Sequence, residues 1–349
     1  MLKLITKKIL YGILVLLGVI ILVFFLFQGF GDVSKLVGGQ SSDSATQANI
    51  RKELHLDEPV LKQFVYYIND VSPVCFHSSD AIKNKNLKGF FIGGDNKLGL
   101  KVPYLRKSYQ SKRDVWSILM QALPGTLMLA LAAMFIATLL GIPLGVLAAV
   151  KQNTWWDTSA IFTSIIGISA PSFFMGIVIA YIFGFVLSDW TGLNITGNWT
   201  YIDAITGEKT LALKNLILPA ITLGIRPMAI ITQLTRSAML DVLNQDYIRT
   251  AYAKGLSRRA VIWKHGLRNA LNPVITAITG WFAELLAGAF FVEYIFGWQG
   301  IGKVTVDALE KLDFPVVMGS VLISATFFIL INILADILYG WVDPRVRIK

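Results

Sequence analysis

Apolar residues run in long blocks along most of this chain, and polar positions collect between the blocks. Six blocks stand out, over residues 9–30, 116–149, 159–187, 215–239, 273–296 and 316–341. A helix needs about 20 predominantly apolar residues to cross a bilayer. Each block therefore predicts one spanning helix, and the expected fold class is an all-α polytopic membrane protein with six transmembrane helices. The second block is longer than one straight span requires. Its Gly141-Ile-Pro-Leu-Gly145 stretch predicts a bend at the inner edge, with tilt taking up the rest.

Composition agrees. The chain has 349 residues, 54% of them hydrophobic and only 15% charged, where a soluble domain carries about 25% charged residues. The net charge of +10 is ordinary for a membrane protein, which collects Lys and Arg on its cytoplasmic side, and nucleic-acid binding is not expected. The first block follows Lys3, Lys7 and Lys8 as a signal peptide would. It is longer than a usual signal core, however, and no small-x-small site follows in GDVSKLVGGQ, so it reads as an uncleaved span.

Charge in the short loops sets the expected orientation. With the N-terminus inside, the inner segments carry three, one, six and three basic residues, 13 in all, against four in the outer short loops. Both termini are thus expected in the cytoplasm. Three regions follow: a first transmembrane helix over 1–30, an extracytoplasmic segment over 31–115, and a five-helix permease core over 116–349 with a cytoplasmic loop at 241–272. The extracytoplasmic segment reads as mainly helical, because Ile50, Leu54, Leu61, Phe64 and Tyr67/Ile68 recur at helical spacing. Its GGQSSDSATQ stretch reads as flexible. Prolines and glycines inside the blocks (Pro124, Pro143, Pro171, Pro219, Pro227; Gly141, Gly145, Gly167, Gly176) suit close packing or bending in a bundle.

Chemistry narrows the function by exclusion. Cys75 is the only cysteine and the three histidines are scattered, so neither a thiolate nor a histidine metal centre is expected. Gly297-Trp-Gln-Gly-Ile-Gly-Lys-Val304 nearly matches a phosphate-binding loop. Val304 stands where a metal-binding hydroxyl is needed, no strand precedes it, and it falls on the outer side. An outer turn between spans is the ordinary explanation. No catalytic constellation is present, no cofactor is expected, and the chain reads as non-enzymatic by itself.

The most informative polar segment runs from Asp246 to Pro273, DYIRTAYAKGLSRRAVIWKHGLRNALNP. Leu243, Tyr247 and Ala251 share a helix face, flanked by Ile248 and Tyr252. Gly255 predicts a stop in the left-handed conformation, and Ser257 can cap a second helix. That helix would place Ala260, Trp263, Leu267 and Ala270/Leu271 on one side and end at Asn272-Pro273. The pattern alone fits a basic amphipathic loop lying on anionic lipid equally well.

Asp246-Tyr-Ile-Arg-Thr-Ala-Tyr-Ala-Lys-Gly255, continuing to Asn269-Ala-Leu-Asn-Pro273, resembles the "EAA" loop of binding-protein-dependent ABC importer permeases. It is most similar to the B-type subunits of the oligopeptide, dipeptide and nickel group. The resemblance extends over nearly the whole chain, through Lys52-Glu-Leu-His-Leu-Asp-Glu-Pro59, Ala122-Leu-Pro-Gly-Thr126, Ser169-Ala-Pro-Ser-Phe173, Leu234-Thr-Arg-Ser-Ala-Met239 and Asp343-Pro-Arg345. It implies a type I importer fold and a permease subunit, non-catalytic, in a prokaryotic inner or plasma membrane. Cytoplasmic ABC ATPases, a second permease subunit and an extracytoplasmic substrate-binding protein are the implied partners. Oligo- or dipeptides are the implied cargo; a nickel or glycan importer of the same build is the alternative, and a self-standing secondary transporter is the alternative of another class. The resemblance further implies that Asp246, Tyr247, Arg249, Thr250, Ala251, Ala253, Lys254 and Gly255 form the ATPase-coupling loop. Ala251, Ala253 and Gly255 would sit deepest in the ATPase groove, with Arg249 and Lys254 at its rim. Thr250 stands where the general motif has an acidic residue.

Two charges inside apolar blocks complete the reading. Arg226 lies 11 residues from the outer edge of the fourth block, and Glu284 lies 11 from the inner edge of the fifth. At 1.5 Å per residue both lie roughly 16 Å deep, near the middle of a core about 30 Å thick. An isolated charge there costs at least about 2.5–3.5 kcal/mol. They are expected to face a translocation pathway and either pair or contact the ends of a zwitterionic peptide. A purely structural ion pair is the plainer reading.

Overall fold

A computed structural model describes residues 2–28, 51, 56–202 and 207–342. The expected flexible stretch at 38–47, the helical positions Ile50 and Leu54, and Asp343-Pro-Arg345 lie outside these residues. The long helices are α1 (Leu2–Gln28), α2 (Val60–Val71), α3 (Val115–Val150), α4 (Trp155–Ser169), α5 (Ser172–Tyr181), α6 (Lys214–Leu243), α7 (Asp246–Ala253), α8 (Arg268–Gly288), α9 (Phe290–Ile295), α10 (Ile301–Glu310) and α11 (Phe314–Val342). Three strands, β1 (Val74–Ser78), β2 (Gly89–Ile92) and β3 (Asn96–Lys101), lie between α2 and α3; a small hairpin, β4 (Thr200–Ile202) and β5 (Lys209–Leu211), precedes α6. The chain divides into two compact units, one centred on 123–303 and the other on 10–122 with 304–325.

Among the described residues, four helices are long and apolar enough to cross a membrane: Thr6–Gln28, Val115–Val150, Lys214–Leu243 and Phe314–Ile337. The third predicted block is not one straight span. It breaks between α4 and α5 with a bend of 109°. Pro171 has no N–H to continue the helix and its ring forces the preceding residue out of the helical region. Ala170 and Pro171 are accordingly extended, with ψ of 131° and 135°. The fifth block divides at Ala289 into α8 and α9.

Gly141-Ile-Pro-Leu-Gly145 does not interrupt α3, which stays helical for 36 residues. These glycines serve contact with α6 instead. A Cβ on Gly145 would stand 2.6 Å from the Thr232 carbonyl oxygen, and one on Gly141 would stand 3.0 Å from that of Met228. Small residues let two helix backbones approach where lipid supplies no hydrophobic drive. The core of this unit buries Leu129, Ala133, Leu223, Ile231, Leu286, Phe296 and Trp298 among others.

The segment after α1 departs from the mainly helical expectation. Helix α2 forms where the spacing placed it, but 74–101 folds into an antiparallel sheet of order β1-β3-β2. Val74 and Phe76, and Leu98 and Leu100, alternate with polar or small residues, the period of a strand, while Phe90 and Ile92 flank Phe91 on the pairing strand. Phe24 and Phe25 of α1 meet Phe64 and Tyr67 of α2 at 5.1–5.8 Å between ring centroids. On the other side of α2, Asn69 bonds both backbone groups of Phe76, and Asp70 accepts from Lys85 at 2.5 Å. Cys75 and His77 are buried on the sheet face toward α2. Burial holds the His77 imidazole below its ordinary pKa, with Lys85 adding to the effect.

A buried carboxylate fixes the turn before α10. Glu293 is fully buried; it accepts from the Thr126 hydroxyl at 2.7 Å and the Lys303 amide at 3.1 Å. Thr126 in turn accepts from the Ile301 amide, and Trp298 donates its indole N–H to the Gly125 carbonyl, both at 2.8 Å. Gly297–Gly300 is thus a turn leading into α10 and latched onto Gly125 and Thr126. Orphaning a buried donor costs roughly 1–3 kcal/mol. Glu293→Ala orphans more than one and is expected to destabilise the solubilised protein by about 3 kcal/mol. Glu293→Gln, which keeps an acceptor, should lose less. Detergent-unfolding midpoints of the two variants check the order.

Candidate functional site

The basic loop is built from the end of α6 onward. After Leu243, three residues lead into α7, whose side chains divide into an anchored face and an offered one. Ile248 and Ala251 are buried and pack with Val261, and Val242 and Leu243 support them. Tyr247, Arg249, Thr250, Tyr252, Ala253, Lys254 and Gly255 are exposed, as is Asp246 at the helix start. Asn269 bonds the Tyr247 hydroxyl at 3.0 Å, so α8 braces that ring. Ala251, expected at the bottom of a partner's groove, instead touches its own chain, because Ile248 and Ala251 lie three apart on one helix face. Ala253 and Gly255 remain on the open side.

Gly255 ends α7 as expected. Its φ is +77°; its amide donates to Tyr252 O at 2.9 Å, and the Leu256 amide donates to Ala251 O at 3.3 Å. This paired 6→1 and 5→2 arrangement is the Schellman motif, which requires a left-handed residue at its centre. Ser257 then caps the next helix by accepting from the Ala260 amide at 3.4 Å.

That helix differs from the expectation in phase and in length. Residues 261–267 form a π-helix, and the buried residues are Val261, Ile262, Gly266 and Ala270. A π turn carries more residues than an α turn, which moves Trp263 out of the expected apolar face to 47% exposure. Pro273 does not end the helix; it lies inside α8, forfeiting only the bond its missing N–H would have made.

Arg226 and Glu284 come to one place. Both are exposed and both line a cleft of about 90 Å³ at the α4–α5 break, with Ala170, Ser172, Thr222 and Trp281. The Arg226 guanidinium lies 5.4 Å from the centre of the Trp281 ring. Among the ion pairs of the described residues, none joins Arg226 to Glu284. The cleft wall therefore carries one cation and one carboxylate with no ion pair between them.

A third arrangement was not anticipated. Arg236 of α6 holds Asp157 of α4 bidentately, Nε to Oδ1 at 2.5 Å and Nη2 to Oδ2 at 2.8 Å. The Asn153 amide adds a bond at 3.0 Å. The signal was available: Arg236 and Glu293, like Arg226 and Glu284, are charges within apolar blocks, where an ionised side chain demands a partner.

Comparison with known proteins gives a consistent family. Residues 141–348 match the model of the binding-protein-dependent transport system inner membrane component, and residues 1–130 match that of its N-terminal membrane component. The dipeptide transport system permease protein DppB of Escherichia coli strain K12 is 38% identical over 367 residues, covering 100% of both chains. The DppB protein of Alkalihalophilus pseudofirmus is 34% identical, with 98% of each covered. The glutathione transport system permease protein GsiC of E. coli O6:H1 is 33% identical over the full length of both. Among solved structures, a chain of the inward-facing MetNI methionine ABC transporter aligns at a TM-score of 0.47 and 16% identity, covering 65% of this chain and 97% of that one.

Proposed function

The chain belongs to the binding-protein-dependent transport system inner membrane component family, and from that membership we propose that it is the permease subunit of an ATP-driven importer of di- or oligopeptides. It carries no nucleotide-binding motif, so energy enters from separate ATPases. The observation that carries the mechanism is the offered face of α7, which ends in a Gly255 turn rooted through Ile248 and Ala251 to the helix after it. Closure of two ATPases on ATP would push this turn, and α6 and α8, which flank it in sequence, would carry the push into the bundle. Arg249 and Lys254 supply rim contacts and Ala253 and Gly255 the close approach. Peptide cargo is supported by the DppB relatives.

In this reading the chain crosses a bacterial inner membrane six times with both termini in the cytoplasm. The broken α4–α5 pair and the α8–α9 pair complete the count. A second, related permease subunit forms the other half of the pathway. Mild-detergent purification tests the assembly: ATPases and a second permease should come with this chain. Accumulation of solute by this polypeptide alone, in vesicles without any nucleotide hydrolase, contradicts the importer.

Arg226 and Glu284 form the pathway wall. Their opposite charges, on one cleft beside Trp281, suit the carboxylate and ammonium ends of a zwitterionic peptide. Replacing both (Arg226→Gln with Glu284→Gln) is expected to lower peptide uptake at least tenfold while ATPases still co-purify. Each lost charge-assisted contact weakens binding by about 1.5–3 kcal/mol. Unchanged uptake by the double variant removes both residues from the pathway.

A further inference from the structure

The small sheet after α2 carries an apolar face that nothing in the described chain covers. Its register sets two cross-strand rows, Phe76–Leu98–Ile92 and Val74–Leu100–Phe90. All six side chains are between 49% and 71% exposed. Val102 continues the face at one edge beside Lys88, whose carbonyl accepts from the Val102 amide at 3.0 Å. Together they expose on the order of 600 Å², the upper end of what monomers show and a mark of an interaction site. It approaches the roughly 800 Å² that each side of a standard protein–protein interface buries.

Which way the face looks decides what covers it. Helix α2 touches the outer part of α1 through Phe64 and Tyr67 and touches the sheet through Asn69, which bonds Phe76, and Asp70, whose carboxylate lies 3.9 Å from His77 Nε2. On a helix at 100° per residue the mean directions of these two pairs differ by about 140°. The order is therefore α1, α2, sheet, apolar face, and the rows look away from the membrane helix on which the segment stands. That orientation leaves the face open to a soluble partner. The surrounding charge selects further: residues 74–114 contain nine Lys and Arg against three Asp, so a partner with an acidic rim is favoured and is steered in from solution.

We propose that this face is the docking surface for the soluble extracytoplasmic substrate-binding protein, which meets it with an apolar patch bordered by acidic residues. The proposal rests on the importer reading and on the sheet lying outside the membrane. Phe76 and Phe90 are the anchors, as large aromatic side chains at the two outer strands dominate such contacts.

The test uses the complete importer in vesicles with its binding protein. In Phe76→Ser/Phe90→Ser, stimulation of ATP hydrolysis should need at least tenfold more binding protein, with the basal rate unchanged. A photo-crosslinking residue at Ile92 of the otherwise unaltered chain should join the binding protein, and this arm holds even where the double variant fails to assemble. Unaltered concentration dependence, or adducts only with lipid, the second permease subunit or another copy of this chain, overturns the proposal and leaves the importer standing. Absence of co-purifying ATPases from the unaltered chain instead defeats the importer itself.

Discussion

Gly255→Asp should leave the permease inserted and strip it of its ATPases, with co-purification reduced at least tenfold and ATP-driven uptake at background. Two costs combine. Gly255 holds φ at +77°, where an L-residue is disfavoured by roughly 1–2 kcal/mol, although Asp and Asn visit the region more readily than others. Beyond its two chain neighbours, no atom of the described residues lies within 4 Å of the place where a Cβ would stand. The added side chain therefore disturbs nothing within the permease, and it projects from the exposed turn toward whatever docks there. A carboxylate pressed into a partner's groove without a cation loses its hydration, a cost of several kcal/mol. Tenfold weaker association needs only about 1.4 kcal/mol. Gly255→Asn separates the two costs: it tolerates the backbone, adds no charge, and should retain part of the association. Wild-type ATPase stoichiometry and uptake in Gly255→Asp would show that the turn is not where force enters.

The loop was largely legible in sequence because its signals are local. A glycine past an amphipathic helix predicts a left-handed stop, and Gly255 has one; a serine before the next helix predicts a cap, and Ser257 caps. What the sequence could not show was phase. The π-helix at 261–267 has no compositional marker, and it alone turns Trp263 outward and Gly266 inward. Hydropathy located four straight spans among the described residues and was silent on the break in the third block, whose apolar content is indifferent to a 109° bend at Pro171. The small sheet is masked in sequence for a different reason: Leu61, Phe64 and Tyr67 advertise a helix, and the strand period over 74–101 is short and broken by Phe91. Its exposed rows are large and apolar, so they resemble core in sequence and are seen to be surface only once the register is known. Arg226 and Glu284 share one cleft as equal depth suggested, yet depth says nothing of rotation, and they line its wall without an ion pair between them.

Arg236→Ala is the second change with a large expected effect, and it should be worse than Asp157→Ala. The Asp157 side chain is 4% exposed and that of Arg236 22%. Removing the arginine leaves a buried carboxylate with the Asn153 amide as its remaining bond, and stranding one member of a buried pair costs about 3 kcal/mol or more. Removing the aspartate leaves a long cationic side chain that can turn its head to water while its stem stays packed, at about half that cost. The double alanine variant should be better than the sum of the singles by on the order of 1–3 kcal/mol, the coupling typical of residues in direct contact. Detergent-driven unfolding of the four proteins in mixed micelles measures the cycle; additivity within about 0.5 kcal/mol means that the pair is not a unit. The position of the pair gives the cycle a functional edge. Helix α6 runs on through Leu243 into Asp246–Gly255, and α4 ends at Ala170 on the Arg226–Glu284 cleft. The guanidinium thus ties the stem of the loop proposed to receive force to the helix that ends at the cleft. Arg236→Ala should therefore lose uptake beyond what its reduced stability explains, with more ATP consumed per peptide carried, whereas a destabilised but still coupled permease would keep that ratio.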